Sequence, residues 1–423
     1  MATEATAVPQ IAVPSLRRSF GWVMAGNVVY AGCQWGMISV LAKLGNTEVV
    51  GQFALGLAIT APIFMLTGLQ LRGVQATDAR SEYEFGHYFT LRLASSFCGL
   101  LVIAGMLAAS GYDRVTSAVV LLIGVAKAIE SLSDVVAGLL QKHERLDQVS
   151  MGLMMKGALS VVAFAVVYRA THSLIAATAV MAVSWALVAV FWDLRLALRL
   201  EGSVRRFFVG DRRRIAHLAL LSAPLGLVMG MISLNANIPR YMIEHHLGRG
   251  QLGIFAAMAY LMVAAGLVIN ALGQSASARL SRMFACGELD KFKSLLGKLA
   301  LFGLALGVVG LPLGYLLGRP VLTLLYAPEY ADHMGAFLIM VGTLGITGAA
   351  SFLGYGMTAA RRFRPQVPLI AACAVTTLLL SLVLVPKWGL TGAAVALLAS
   401  ALVLLTGSAL IVTGALRARQ RAL

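Results

Sequence analysis

Apolar runs of bilayer-spanning length occupy most of this chain and constrain its fold more than any other feature. About twelve runs of roughly 20 residues follow one another between short polar gaps, and each is long enough to cross a bilayer as a helix. Barrel strands would give shorter, alternating segments. Only 12% of the 423 residues are charged, which leaves no room for a large soluble catalytic domain. The pattern predicts an all-α integral membrane protein.

The basic residues predict how these spans are oriented. The spans lie at about 19–41, 49–71, 88–110, 115–140, 150–169, 173–194, 216–238, 251–273, 295–317, 333–358, 367–385 and 389–414. Of the 34 lysines and arginines, 25 lie in one set of alternate gaps and 7 in the other. Because cytoplasmic loops carry the excess of Lys and Arg, we expect the richer side, with both termini, to be cytoplasmic.

A basic gap in the middle of the chain divides the spans into two sets of six. It contains, among its basic residues, Arg205, Arg206, Arg212, Arg213 and Arg214. We interpret it as a topology-setting linker at the anionic leaflet surface, with a partner-docking role as the alternative. The predicted organisation is a cytoplasmic tail at 1–18, a six-helix lobe at 19–194, the linker at 195–215, a second six-helix lobe at 216–414 and a cytoplasmic tail at 415–423.

Weak internal similarity suggests that the two lobes are repeats of one unit. Segment 50–54 (VGQFA) recurs as segment 252–256 (LGIFA), 202 positions later, and the same offset pairs Arg80 with Arg282. Six spans is an even number, so matched segments would cross the membrane in the same direction. This predicts a two-fold axis along the membrane normal and a central cavity between the lobes.

The fourth span carries charged residues that are costly inside a bilayer. Lys127, Glu130 and Asp134 are spaced i, i+3 and i+7, which places them on one helical face. Each charge costs about 2.5–3.5 kcal/mol at mid-membrane on insertion scales. Either Lys127 and Glu130 form an internal ion pair, or the face lines a wet cavity in which Glu130 and Asp134 couple an ion. Lys156 is a second buried cation or a residue that snorkels to the cytoplasmic surface.

Polar residues in other spans extend the candidate cavity. Asn235 and Asn237 offer amide groups suited to sugar hydroxyls, and Arg240 offers a planar fork for phosphate. The alternative for Arg240 is an interfacial anchor at the outer face. Gln70 and Arg72 lie near the cytoplasmic end of the second span.

Several function classes lack their signatures in this sequence. There is no GxxxxGK[ST] nucleotide-binding loop and no HExxH zinc motif. The seven histidines and four cysteines form no recognisable ligand spacing, so no metal and no cofactor is expected. The net charge of +16 does not indicate a nucleic-acid partner, because the basic residues lie between apolar runs.

Four segments resemble the Wzx-type polysaccharide (O-antigen or exopolysaccharide) flippases of the multidrug/oligosaccharidyl-lipid/polysaccharide exporter superfamily. They are residues 69–79 (LQLRGVQATDA), 133–145 (SDVVAGLLQKHER), 237–241 (NIPRY) with 252–255 (LGIF), and 388–394 (WGLTGAA). The resemblance implies a MATE-like bundle of twelve helices in two lobes around a central cavity. It also implies the flipping of undecaprenyl-diphosphate-linked oligosaccharides across the bacterial inner membrane, by alternating access driven by an ion gradient.

The resemblance further implies residue roles and partners. Lys127, Lys156, Arg72 and Arg240 are the candidates for a cation-rich cavity, and Glu130 and Asp134 are those for proton coupling. The implied partners are the lipid-linked oligosaccharide and membrane lipids, together with a polysaccharide polymerase and a chain-length regulator. Two alternatives stay open: a cation/drug antiporter on the same scaffold, and a membrane-embedded glycosyltransferase or polymerase, although the chain has no DxD motif.

Overall fold

The computed structural model of the protein describes residues 16–78, 81–362 and 364–422, and these residues form an all-helical bundle without strands. Its helices are α1 (Leu16–Leu44), α2 (Thr47–Thr67), α3 (Leu71–Thr77), α4 (Phe85–Ser110), α5 (Arg114–Lys142), α6 (Leu146–Thr171), α7 (Leu174–Val188), α8 (Leu194–Glu201), α9 (Arg212–Ala285), α10 (Leu289–Leu325), α11 (Met334–Ala359) and α12 (Gln366–Ala422). Most of the predicted tail at 1–18, and Arg80, lie outside the described residues.

Two of the helices are long enough to contain two predicted spans each. Helix α9 has 74 residues with a break at Gly248 (φ 82°), and α12 has a break at Gly389 (φ 58°). Glycine takes up these positive φ values without the steric cost of a Cβ atom. Nine helices in the described part of the chain are long and apolar enough to cross a membrane. The count of twelve spans therefore stays a prediction.

Two predicted segments differ from the structure. The second span does not run from 49 to 71, because α2 ends at Thr67 and a turn with left-handed Leu69 and Gln70 precedes α3. The basic linker at 195–215 is largely helical: it contains α8 and a 3₁₀ turn at Val204–Phe207. Phe207 is buried against Phe85 at a ring-centroid distance of 5.0 Å, so the linker is anchored to α4.

The buried residues show how the first half (16–201) and the second half (212–422) meet. At the end opposite the termini they form one core, which contains Met37, Phe53 and Phe164 together with Phe255 and Tyr326. At the termini end they form two separate cores. One core belongs to the first half and is joined by Leu218 from the start of α9, and the other lies entirely in the second half. The halves therefore share one core at the end opposite the termini, whereas at the termini end only the start of α9 packs against the first half.

Polar contacts reinforce the shared core, which we call the seal. Trp35 Nε1 donates a hydrogen bond of 2.8 Å to the Tyr326 hydroxyl, which itself donates to the Ala257 carbonyl oxygen at 2.9 Å. Arg249 and Asp113 form an ion pair of 2.6 Å between the halves. Burial raises the pKa of Asp113, but hydrogen bonds from Thr116 and the Arg249 charge outweigh it and lower the pKa to about 2. Asp113 is therefore ionised throughout the physiological pH range.

The similar segments of the two halves meet each other in the seal. A Cβ atom on Gly51 would collide with the carbonyl oxygen of Arg249, and one on Gly253 would collide with that of Thr47. Gly253 and Arg249 lie 202 positions after Gly51 and Thr47, so the two contacts are equivalent under one two-fold operation. Such reciprocal contacts are the mark of an isologous interface. They support the predicted duplication and its axis.

Candidate functional site

The charged pair of the fourth span lies in the interior of the first half. Lys127 Nζ is 2.7 Å from Glu130 Oε2, and the Tyr30 hydroxyl of α1 donates to Glu130 Oε1 at 2.6 Å. The Lys127 ammonium also lies 5.4 Å from the ring centre of Trp185 in α7. Both charged side chains are 25% exposed. The ion pair is therefore formed, and it also keeps an open side on which a ligand or water can approach.

Asp134 does not belong to this group, although it was expected on the same face. Its carboxylate lies 3.4 Å from Arg72 of α3 and 3.2 Å from Arg92 of α4. Arg72 also donates a 3.1 Å hydrogen bond to Gln141. The Arg92 side chain is only 4% exposed, so Asp134 compensates a buried charge and ties three helices together. Gln70 is exposed in the turn before α3, on the termini side of these contacts.

Lys156 is buried rather than snorkelling to the cytoplasmic surface. Only 3% of the residue is exposed, so the snorkelling alternative is wrong. Its charge acts on Glu130 and on Asp193, a carboxylate that sequence reasoning missed. Asp193 stands at the end of the sixth apolar run and next to basic residues, which is where a solvated interfacial residue would also be expected. Its burial depends on a π-helical turn at Ala189–Asp193 that no sequence pattern indicates.

Arg240 is the main cation that the second half contributes. Its Nη1 donates to Asn237 Oδ1 at 2.8 Å, and Asn237 in turn donates to the Ser233 carbonyl oxygen at 2.8 Å. The Arg240 Nε is buried without a hydrogen-bond partner among the described residues. Asn235 has a different contact, because its Oδ1 accepts a 2.6 Å hydrogen bond from Thr377 in α12. Asn237 and Arg240 therefore form one unit, and Asn235 belongs to the helix packing of the second half.

The charged groups of the two halves face a common space. Tyr260, in the second segment of α9, lies within electrostatic range of Lys127, Arg240 and Tyr30. Lys127, Glu130 and Arg240 border this space, and Lys156 and Asp193 are buried behind it in the first half. The surplus of positive charge favours an anionic ligand. In the described part of the chain, no three His, Cys, Asp or Glu residues come together as a metal site would require.

Residues 16–284 match the family described as "Polysaccharide biosynthesis protein". The chain is 26% identical over 388 residues to the capsular polysaccharide biosynthesis protein CapF of Staphylococcus aureus, with 92% of this chain and 97% of CapF covered.

Two solved structures share the fold. The lipid II flippase MurJ in an inward closed conformation gives a TM-score of 0.72 at 12% identity, with 92% of this chain and 86% of MurJ covered. An inward-facing multidrug resistance MATE transporter of the MOP superfamily gives 0.67 at 10% identity, with 98% of each chain covered. The fold class predicted from the sequence is thus confirmed. Because the family match covers more than half of the residues, the chain belongs to the polysaccharide biosynthesis protein family.

Proposed function

We propose that the protein is a flippase that moves a lipid-linked oligosaccharide repeat unit across the membrane for the synthesis of a surface polysaccharide. The substrate class is an undecaprenyl diphosphate bearing the sugars. The family match and the likeness to CapF support this role in polysaccharide synthesis. The shared fold with a lipid II flippase supports transport as the activity, and no bond-forming step is needed.

One structural observation carries the proposal: cations of both halves border one space at an interior position. Lys127 and Arg240 come from different halves and both lie near Tyr260. A diphosphate is anionic, and its glycan is too polar to enter hydrocarbon unaided. A route between the halves, open at one end and lined by basic and amide groups, would attract the diphosphate. It would also let the glycan cross without entering hydrocarbon. The lipid tail would stay in the bilayer.

The direction of transport follows from the predicted orientation. If the termini end is cytoplasmic, as the distribution of Lys and Arg indicates, the seal lies on the periplasmic side of the bacterial inner membrane. The structure then has its separated cores on the side where the substrate is made. Transport proceeds by alternating access and is coupled to an ion gradient. A polysaccharide polymerase and a chain-length regulator are the proposed partners that follow it.

Replacing Lys127 with alanine should reduce glycan export at least tenfold in a flippase-deficient strain, measured as surface polysaccharide at matched protein level. The change removes a cation from the shared space, and a tenfold loss equals about 1.4 kcal/mol. Because it also leaves Glu130 without its ion pair, the double variant K127A/E130Q is needed. If Lys127 binds substrate, the double variant stays inactive. Recovery of export in the double variant would show that Lys127 serves only to balance the charge of Glu130 and does not bind substrate.

The control for this test is Lys291→Ala, since the Lys291 side chain is 67% exposed on the surface of α10. It should leave export unchanged.

Substituting Arg240 with lysine should also impair export, by about five- to tenfold. Lysine keeps the charge but cannot hold Asn237 and present a planar fork to phosphate at the same time. The measurement is the same complementation assay, with binding of a diphosphate-bearing lipid to the purified protein as a second readout. Full export by the lysine variant would make Arg240 a plain interfacial anchor.

The alternative of a cation/drug antiporter is supported by the MATE fold. Against it, Glu130 is already bound by Lys127 and Tyr30, and Asp134 by two arginines. Exchange of organic cations for protons by reconstituted protein, without effect of lipid-linked sugars, would favour the antiporter.

A further inference from the structure

The π-helical turn between α7 and α8 brings an acidic side chain into the bundle. The turn spans Ala189–Asp193, and such turns inside α-helices are frequently found at functional sites. Within it, the Phe191 side chain points outward and is 57% exposed, whereas Asp193 is only 9% exposed. The wider turn thus places one carboxylate inside the protein while the apolar neighbour stays outside.

Two neighbouring helices supply the polar groups that face Asp193. They are Lys156 from α6, which is 3% exposed, and Ser133 from α5, which is 7% exposed. The backbone of α6 approaches closely, because a Cβ atom on Gly152 would lie 3.3 Å from Asp193 Oδ1. The adjacent Trp192 is fixed by a 3.2 Å hydrogen bond to the Gln148 carbonyl oxygen. The group is therefore a small polar site enclosed by three helical segments.

Two polar atoms of this site lack well-formed hydrogen bonds. Asp193 Oδ2 and Ser133 Oγ are buried, and neither makes a hydrogen bond of good geometry to the described residues, although the Ser133 hydroxyl lies close enough to the Asp193 carboxylate to act on it. Within the same part of the chain, Lys156 forms no close ion pair, although its charge acts on both Asp193 and Glu130. Leaving a buried polar group without a hydrogen-bond partner destabilises the folded protein. Each such group in a native structure needs an explanation, and a carboxylate oxygen beside a buried ammonium group is suited to binding a proton.

The other two acids suggested for ion coupling are already occupied. Glu130 is held by Lys127 at 2.7 Å and by the Tyr30 hydroxyl at 2.6 Å. Asp134 is held by Arg72 and Arg92. Of these three carboxylates, Asp193 is the one with a buried oxygen that has no hydrogen-bond partner among the described residues.

We infer that Asp193 is a proton-binding group of the transport cycle, with Lys156 as the charge that responds to it. A hydronium ion gives its proton to Asp193 Oδ2, an O–H bond forms, and water is left. The formal charge of Lys127, Glu130, Lys156 and Asp193 together then changes from zero to plus one. A metal cation does not suit the site, because one carboxylate and one hydroxyl beside an ammonium group are too few oxygen ligands.

This inference deepens the proposed function by naming the group that couples it to a proton gradient. Once Asp193 is neutral, it no longer balances the positive charge of Lys156. That charge then acts more strongly on Glu130 and on the space shared by the two halves. Protonation of Asp193 therefore changes how strongly that space attracts an anion.

The test is difference infrared spectroscopy of the full-length protein in lipid nanodiscs, without any substrate, between neutral and acidic pH. The wild type should show the C=O stretch of a protonated carboxyl group, and Asp193→Asn should lose it. Asp147→Asn is the matched control, since Asp147 pairs with Arg145 outside this site, and should keep the band. Asp193→Glu should keep a shifted band, and it serves as the second variant if the asparagine variant does not fold.

An unchanged band in Asp193→Asn would overturn the inference, as would a spectral response to Na⁺ at constant pH in place of the response to protons. Export provides a separate readout: the pH dependence of glycan export should flatten in Asp193→Asn and persist in Asp147→Asn. Because the spectra need no substrate, a failure of the proposed flippase activity would leave the proton-binding result standing, and the two failures can be distinguished.

Discussion

Replacing Gly51 with alanine should break the seal between the two halves and lower glycan export at least tenfold. The added methyl group would meet the backbone carbonyl of Arg249, which cannot rotate away as a side chain could. Overpacking of this kind costs about 1–3 kcal/mol, and 1.4 kcal/mol changes a conformational equilibrium tenfold. The clash destabilises only the conformation in which the seal is closed. The fraction of protein with an open seal should therefore increase.

Thiol labelling of a cysteine-free background carrying Ala257→Cys measures this shift. Ala257 is fully buried in the seal, so a membrane-impermeant reagent on the seal side should react at least ten times faster when Gly51→Ala is added. Gly266→Ala is the matched control, because it lies in the same bundle with open space around the added Cβ atom. Equal labelling rates and normal export in Gly51→Ala would contradict the seal as a moving contact.

The two-fold relation makes this prediction sharper. Gly253→Ala should act like Gly51→Ala, since the two glycines make equivalent contacts. Because both changes affect one helix crossing, their effects should not add in the double variant.

Substituting Asp134 with asparagine should lower stability by about 3 kcal/mol and thereby reduce the amount of folded protein. Removal of one partner of a buried ion pair typically costs about 3–5 kcal/mol, because the other charge is left uncompensated. The Arg92 side chain is 4% exposed, whereas Asp134 is 37% exposed, so solvent screening places the effect at the low end. The midpoint of thermal unfolding in detergent measures it.

Glu288→Gln is the control for Asp134→Asn. Its ion pair with Lys291 is exposed on both sides, and removal of such a pair changes stability by less than about 1 kcal/mol. An Asp134→Asn variant that unfolds at the wild-type temperature but exports no glycan would contradict this prediction. It would instead support Asp134 as an ion-coupling acid.

The local chemistry of the candidate site was largely predictable. A spacing of three residues in a helix puts Lys127 and Glu130 side by side, and the pair is formed at 2.7 Å. The same helical arithmetic placed Asp134 on that face, but Arg72 and Arg92 approach from two other helices and bind it instead. Periodicity predicts which side chains share a face; it does not predict which residues of other helices face them.

Other features of the site left no usable signal in the sequence. Arg92, in the third predicted span, was not among the candidate site residues, yet it is buried in α4 and binds Asp134. Asp193 was not singled out by the sequence, and a π-helical turn places it inside the bundle. A one-residue change in helical register redirects a side chain by about 100 degrees, so small backbone irregularities decide such positions.

From residue order alone follow the membrane class, the approximate spans, a prediction of their sidedness and the need to shield several interior charges. These depend on hydropathy, charge distribution and helical period, which act within about 20 residues. Tertiary packing alone decided that Gly51 meets Arg249 and Gly253 meets Thr47, that Asp134 neutralises Arg92, and that Asp193 is buried beside Lys156. Contacts between distant segments arise from the shape and register of whole helices, and no local pattern encodes them.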